Sequence, residues 1–257
     1  MNDVAIFAAL AWERRAVTSA LARAEGAGRE RTWRGRLGDG TSCLVVQTGV
    51  GPERARRAAT EVTAGVFVVC GCAGALAPWL RPGDLVAADA VVPLDAAGRP
   101  GEPIPAQGGS LVDWAAGRGF DVHLGPIASS PRVLETAAAK RAAAADGALV
   151  VEMESAGVAS VARARGIPFV GLRVVLDVAE QPVPFAADVV DEETGEVRTG
   201  RMLASLARPW RWPAAGRLGR QVQAADRSLR SVLAALLGEG GLAALVGAPS
   251  RAAAVPG

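Results

Sequence analysis

Runs such as "VFVVCGCAG" (residues 66–74) and "PFVGLRVVLD" (168–177) are apolar nearly throughout, with no alternation of polar and apolar side chains. A strand with one face in water alternates, because successive side chains point to opposite sides. Strands that do not alternate must be covered on both faces, and helices are the usual cover. The stretches between these runs supply them. Residues 12–24 read as a helix with Val17 and Leu21 on its inner stripe. "TGVGPERARRAATEV" reads as a glycine turn and a helix with Pro52 in its first turn. "RVLETAAAKRAAAA" and Ser155 to Arg165 read as two more helices, the second stopped by Gly166. Val4–Ala9, Ser42–Gln47, "LVAADAVVPL", "HLGPIAS" and "GALVVEM" read as further strands, and 94–109 as a Gly/Pro-rich loop. Strands alternating with helices in this way predict an α/β architecture with much of its sheet parallel.

Size and composition narrow the class. The chain has 257 residues, half of them hydrophobic, and no long polar linker divides it, so one large domain is expected. A net charge of +2 comes from arginines spread along the chain, which does not make a nucleic-acid footprint. Cys43, Cys70 and Cys72 lie in apolar runs and cannot close a disulfide set, as in a reduced cytoplasmic interior. With one histidine, His123, and no second cysteine pair, neither a metal centre nor a histidine-based triad is expected. Asp3 stands where a signal peptide would carry positive charge, and no apolar stretch nears the ~20 residues of a membrane helix.

In open α/β sheets ligands gather at the carboxyl ends of strands. The polar or small residues at those ends are Glu13, Gly49 to Gly51, Gly71 to Gly74, Glu152 to Glu154 and Asp177. Each has two readings. The "TGVGP" turn, with Gly49 and Gly51 and with Arg54 nearby, is an anion cradle or a tight strand-to-helix turn. "CGCAGAL" lets a ligand approach the backbone, or lets a strand pack closely on a helix. Glu152 and Glu154 complement a helix dipole or hold a ligand. Asp177 caps a turn or acts as a proton donor.

Taken in order, these segments resemble the nucleoside phosphorylase and nucleosidase superfamily over most of the first 180 residues. "AALAWERRAV" resembles the opening strand and acid of the methylthioadenosine/S-adenosylhomocysteine nucleosidases, and "QTGVGPERA" their second glycine turn. "CGCAGALAPWLRPGDLVAAD" is similar to their nucleoside-contacting segment, and "VEMESAGVASVARARGIPFVGLRVVLDVAE" to the segment that ends in their catalytic aspartate. The tail from Val183 to Leu236 resembles that of the hopanoid-associated phosphorylases, which are assigned to remove adenine from adenosylhopane.

The resemblance implies a three-layer α/β/α sandwich with a central mixed, largely parallel twisted sheet. Residues 1–200 would form the α/β domain, and 201–257 a C-terminal helical extension packed on it, its tail end a candidate for disorder. It implies that Asp177 protonates or hydrogen-bonds N7 of a leaving purine and that Glu13 positions the nucleophile. Glu154 would hold the ribose hydroxyls with Met153 beneath the ring. Cys72, Ala73, Gly74, Val133, Leu134 and Glu152 would line the base and ribose pocket. The implied activity is cleavage of an adenine nucleoside's N-glycosidic bond, with adenosylhopane the leading substrate. The alternatives are a methylthioadenosine/S-adenosylhomocysteine nucleosidase, another purine nucleoside phosphorylase, or a binding protein that has lost catalysis. No cofactor is implied, inorganic phosphate is an admissible co-substrate, and a cytoplasmic homodimer is expected. Trp210 and Trp212 beside Arg208 and Arg211 would either rest at a membrane surface or cover the core or a dimer partner.

The departures from the family pattern are specific. Leu176 replaces the serine before the aspartate, "SPRV" replaces the family's "GDxF" with its stacking aromatic, and Ala75 replaces a glycine. Val69 lies where purine phosphorylases keep a phosphate-binding arginine, which makes phosphorolysis less secure than base release.

Overall fold

The computed structural model describes residues 2–26, 31–144, 146–182, 212–238 and 241–242. Among them, ten strands form one sheet: β1 (Asn2–Ala8), β2 (Arg23–Gly26), β3 (Thr32–Arg36), β4 (Ser42–Gln47), β5 (Ala64–Ala75), β6 (Leu85–Pro93), β7 (Ile104–Pro105), β8 (Val122–Ser129), β9 (Val150–Glu152) and β10 (Phe169–Asp177). The helices are α1 (Ala11–Ser19), α2 (Pro52–Glu61), α3 (Gly108–Ala116), α4 (Ala137–Ala143), α5 (Ser155–Arg165) and α6 (Trp212–Gly238).

The strand order is β10-β6-β8-β9-β5-β1-β4-β3-β2, with β7 beside β6. β10 also pairs with β5, so β5, β10, β6, β8 and β9 close into a ring at one end of the sheet. β1 runs parallel to β4 and β5, β10 to β5, and β8 to β6 and β9. The other pairings are antiparallel, so the sheet is mixed.

The side chains of β5 explain why its sequence does not alternate. Val66, Val68 and Cys70 face a core made with Val17 of α1, Leu111 of α3 and Leu229 and Leu233 of α6. Phe67 and Val69 face the opposite core, made with Ala55 and Ala59 of α2 and Val158 and Ala162 of α5. Both faces of the strand are buried, which makes the architecture a three-layer sandwich. Small residues let α2 and α5 approach closely. A Cβ on Gly157 would lie 2.1 Å from the Pro52 carbonyl oxygen.

Several elements differ from the sequence expectation. The first helix stops at Ser19, and Arg23–Gly26 forms an exposed edge strand against β3 instead. α4 begins only at Ala137, where the Thr136 hydroxyl accepts the Ala139 amide at 3.1 Å. β9 keeps three residues, and α3 follows the glycine-rich loop, which also holds the short β7. Trp210, Arg208 and Arg211 lie outside the described residues. Trp212 opens α6. No helix among the described residues is long and apolar enough to cross a membrane.

Candidate active site

The carboxyl ends of β5, β9 and β10 meet at Gly74, which pairs with Val151 on one side and Asp177 on the other. A cavity of about 220 Å³ opens there. Glu13, Glu152, Met153, Glu154 and Asp177 all line it. So do Cys72, Ala73 and Gly74 from β5, and Val133 and Leu134 from the segment after β8. Gly49, Gly51 and Arg54 do not line it, although Val50 does.

Glu13 sits in the first turn of α1, only 1% exposed. Its Oε2 accepts the amides of Ala9 (3.0 Å) and Leu10 (2.8 Å), reaching back over the helix start as a capping-box glutamate does. Oε1 accepts the Cys72 amide at 2.8 Å. Backbone amides thus fill three of a carboxylate's roughly four acceptor positions, and the Cys72 thiol hydrogen-bonds to the group as well, which fixes it in place. Burial pushes its pKa above the ordinary value, against the pull of these amides and of Arg173.

Glu152 and Glu154 divide the work of their shared turn. Glu152 accepts the amides of Glu154 (2.9 Å) and Ser155 (2.9 Å) and is ion-paired to Arg173. It therefore secures the start of α5 and neutralises a buried cation. Glu154 takes the Gly51 amide at 3.2 Å and stands 3.8 Å from Arg173. The amide offered by the "TGVGP" turn therefore goes to the protein's own carboxylate. Burial, then the nearby charge of Glu152, pushes the Glu154 pKa up to about 8, with Arg173 opposing. Glu13, Glu152 and Glu154 share a single buried guanidinium, and three carboxylates around one cation favour retaining a proton.

Sequence reasoning passed over Arg173. It lies in the middle of β10, 1% exposed, and also donates to the Ser155 hydroxyl at 3.0 Å. Burial would weaken its charge, but Glu152, Glu154 and Glu13 outweigh that and raise its pKa. The signal was an arginine inside "VGLRVVL", because a charge within a two-faced strand requires buried counter-charges.

Asp177 ends β10 with its carboxyl against Gly74, where a Cβ would lie 3.2 Å from Oδ1 and 3.3 Å from Oδ2. At Gly71 a Cβ would lie 2.7 Å from Glu13 Oε1 and 2.9 Å from Arg173 Nη1. The glycines of "CGCAGAL" thus make room for the site's own side chains. Asp177 is ion-paired to Lys140 of α4, a second residue that the sequence reading left unassigned. Burial raises the Asp177 pKa more than Lys140 lowers it. Cys72 is no nucleophile, since burial and then Glu13 hold its thiol protonated.

The sequence profile described as "Phosphorylase superfamily" matches residues 3–208. The chain belongs to the phosphorylase superfamily. As a member it is an enzyme of the group that acts on N-glycosyl bonds. The superfamily fold is matched by solved structures. S-adenosylhomocysteine nucleosidase from Streptococcus pyogenes, in complex with 5-methylthiotubericidin, aligns with a TM-score of 0.70 at 20% identity, over 93% of this chain and 97% of that one. The 5′-methylthioadenosine/S-adenosylhomocysteine nucleosidase from Neisseria meningitidis, in complex with methylthio-immucillin-A, gives 0.70 at 19% identity, over 93% and 100%. Futalosine hydrolase from Helicobacter pylori gives 0.66 at 18% identity, over 90% and 97%. No curated protein matches in sequence.

Proposed function

We propose that this superfamily member releases adenine from an adenine nucleoside by cleaving the C1′–N9 bond. The observation that carries the reading is a cavity in which Asp177, Glu154 and Glu13, from three separate elements, all face inward. As the bond breaks, its electron pair goes to the base and the Asp177 carboxyl proton passes to N7. Glu154 holds the ribose hydroxyls and interacts favourably with the positive charge growing on the ring. A water molecule oriented by Glu13 adds to C1′ and gives its proton to that carboxylate. With phosphate as the nucleophile, its oxygen adds to C1′ instead.

Adenosylhopane is the substrate we favour, from the resemblance of the C-terminal segment and the mostly apolar residues around the cavity. At about 220 Å³ the cavity is smaller than the roughly 300–1,000 Å³ that enclose drug-sized ligands, so it would take the nucleoside end and leave a lipid in the mouth. A second reading, a methylthioadenosine or S-adenosylhomocysteine nucleosidase, is favoured by the fold shared with the nucleosidases of Streptococcus pyogenes and Neisseria meningitidis. We further infer a cytoplasmic homodimer.

The test is adenine release from adenosylhopane, 5′-methylthioadenosine and S-adenosylhomocysteine, each with and without phosphate. The favoured reading expects adenosylhopane to give the highest kcat/KM. Faster turnover of the small thioethers would move the assignment to the second reading. Tight nucleoside binding with no adenine released would make the chain a binding protein.

A further inference from the structure

Lys140 is the single lysine of a chain that otherwise carries only arginines among its 28 basic residues. It is 2% exposed, lines the cavity, and projects from α4 to the end of β10. Its ammonium has three N–H donors, and all have partners. One goes to the Asp177 carboxylate, one to the Val178 carbonyl at 3.0 Å, and one to the Gln181 carbonyl at 3.2 Å. Gln181 is fastened in turn to α6, where Gln221 Nε2 donates to its Oε1 at 2.7 Å. The side chain of Leu176, next to Asp177 in the chain, can offer it no hydrogen bond.

We propose that Lys140 is the positioning residue of Asp177, holding its carboxyl at the cavity wall and neutralising the carboxylate left when the proton departs for the base. This deepens the proposed function and rests on Asp177 being its acid. With its three donors occupied, Lys140 cannot reach the substrate without giving up a bond, so it acts through Asp177. The balance is simple. The Asp177 O–H bond breaks and an N7–H bond forms, the C1′–N9 pair passes to the base, and a buried ion pair replaces a neutral acid beside a cation. That replacement is favourable at the moment the leaving group needs the proton. Other ionisable groups round the cavity are Glu13 from α1, Cys72 from β5, Arg132 after β8, and Glu152 and Glu154 before α5. Arg173, on the same strand as Asp177, is committed to Glu152 and Glu154. The ion-pair partner of Asp177 is Lys140.

A unique lysine permits a direct readout. In protein labelled with 13Cε-lysine, the one side-chain signal belongs to Lys140, and its shift should carry an inflection as Asp177 titrates. That inflection should vanish in Asp177→Asn. In parallel, Lys140→Met and Lys140→Arg are assayed for adenine release from whichever of the three nucleosides the wild type turns over. Without the cation the Asp177 carboxyl keeps its proton to higher pH. The basic limb of kcat/KM should therefore move up by about one pH unit or more, while the plateau falls by about three- to tenfold. Lys140→Arg should restore the limb at least partly, a result that loss of packing would not give. A lysine signal without the inflection would overturn the proposal, as would a Lys140→Met profile superimposed on the wild type. If Asp177→Asn turns over normally while the inflection is present, the assignment of Asp177 as the acid fails and the contact with Lys140 stands.

Discussion

At the scale of single residues, the site is a balance of buried charge. Arg173 is ion-paired to Glu152 and stands near Glu154, so Arg173→Met strands Glu152 without that counter-ion. Breaking such a pair from one side costs about 3–5 kcal/mol, and urea unfolding of that variant should show a loss of this size. Gly71→Ala forces a methyl against Glu13 and Arg173, both immobilised, and should cost about 1–3 kcal/mol in the same assay. Glu154 gives a pH signature. Its folded pKa of about 8 lies above the ordinary carboxyl value, so near neutrality the empty site holds a proton there. Ribose hydroxyls donate best to the ionised form, so nucleoside binding should release a proton, and affinity should rise with pH before levelling above about 8. Calorimetry in buffers of different ionisation enthalpy measures that release, and proton uptake on binding would contradict it. The linked stability has the opposite sign, since a raised carboxyl pKa favours the folded state fully below the unfolded value and loses that contribution as pH rises through about 8.

What the sequence revealed at this scale follows from chemistry. Glu13, Glu154 and Asp177 stand at strand ends in a motif order, where a carboxylate is conspicuous. Arg173 and Lys140 were hidden for opposite reasons. The first lies within an apolar run whose counter-charges, Glu152, Glu154 and Glu13, lie far off in the chain, and the second lies in an alanine-rich helix where a basic residue looks like a solvated face. The rarity of lysine was the available clue to the second.

At the scale of elements, strands buried on both faces were legible because nothing else explains continuous apolar runs. α5 was legible to the residue, since Gly166 adopts the left-handed conformation at its end with φ 64°. The edge strands were not. β2 and β3 are exposed or half-buried and polar, and β2 is held by backbone pairing to β3, which leaves no periodic signal. α4 is the element whose end matters most, because it delivers Lys140. Thr136→Ala removes its side-chain cap and should cost about 1 kcal/mol in thermal or urea unfolding. Adenine release should fall with it if α4 also aims Lys140, whereas unchanged activity would separate the cap from the site.

At the scale of the whole molecule, α6 belongs to the core of one sheet face. Leu229, Val232, Leu233, Leu236 and Leu237 are 0–1% exposed. At about 1.5–3 kcal/mol for each buried side chain, the helix contributes as much as the roughly 5–15 kcal/mol net stability of an ordinary domain. A chain ending before Trp212 should therefore fail to fold, as circular dichroism of the truncated protein would show. α6 also reaches the candidate site, through Gln221, Gln181 and Lys140, so α6 and Asp177 belong to one structure. The proposed function depends above all on a carboxyl proton that Asp177 delivers to the leaving base. Single-turnover adenine release by Asp177→Asn, with binding of a non-cleavable nucleoside analogue measured alongside, tests it most directly. The prediction is analogue affinity within a few-fold of wild type and release slowed by about 10²–10⁴-fold. Release at the wild-type rate would contradict it.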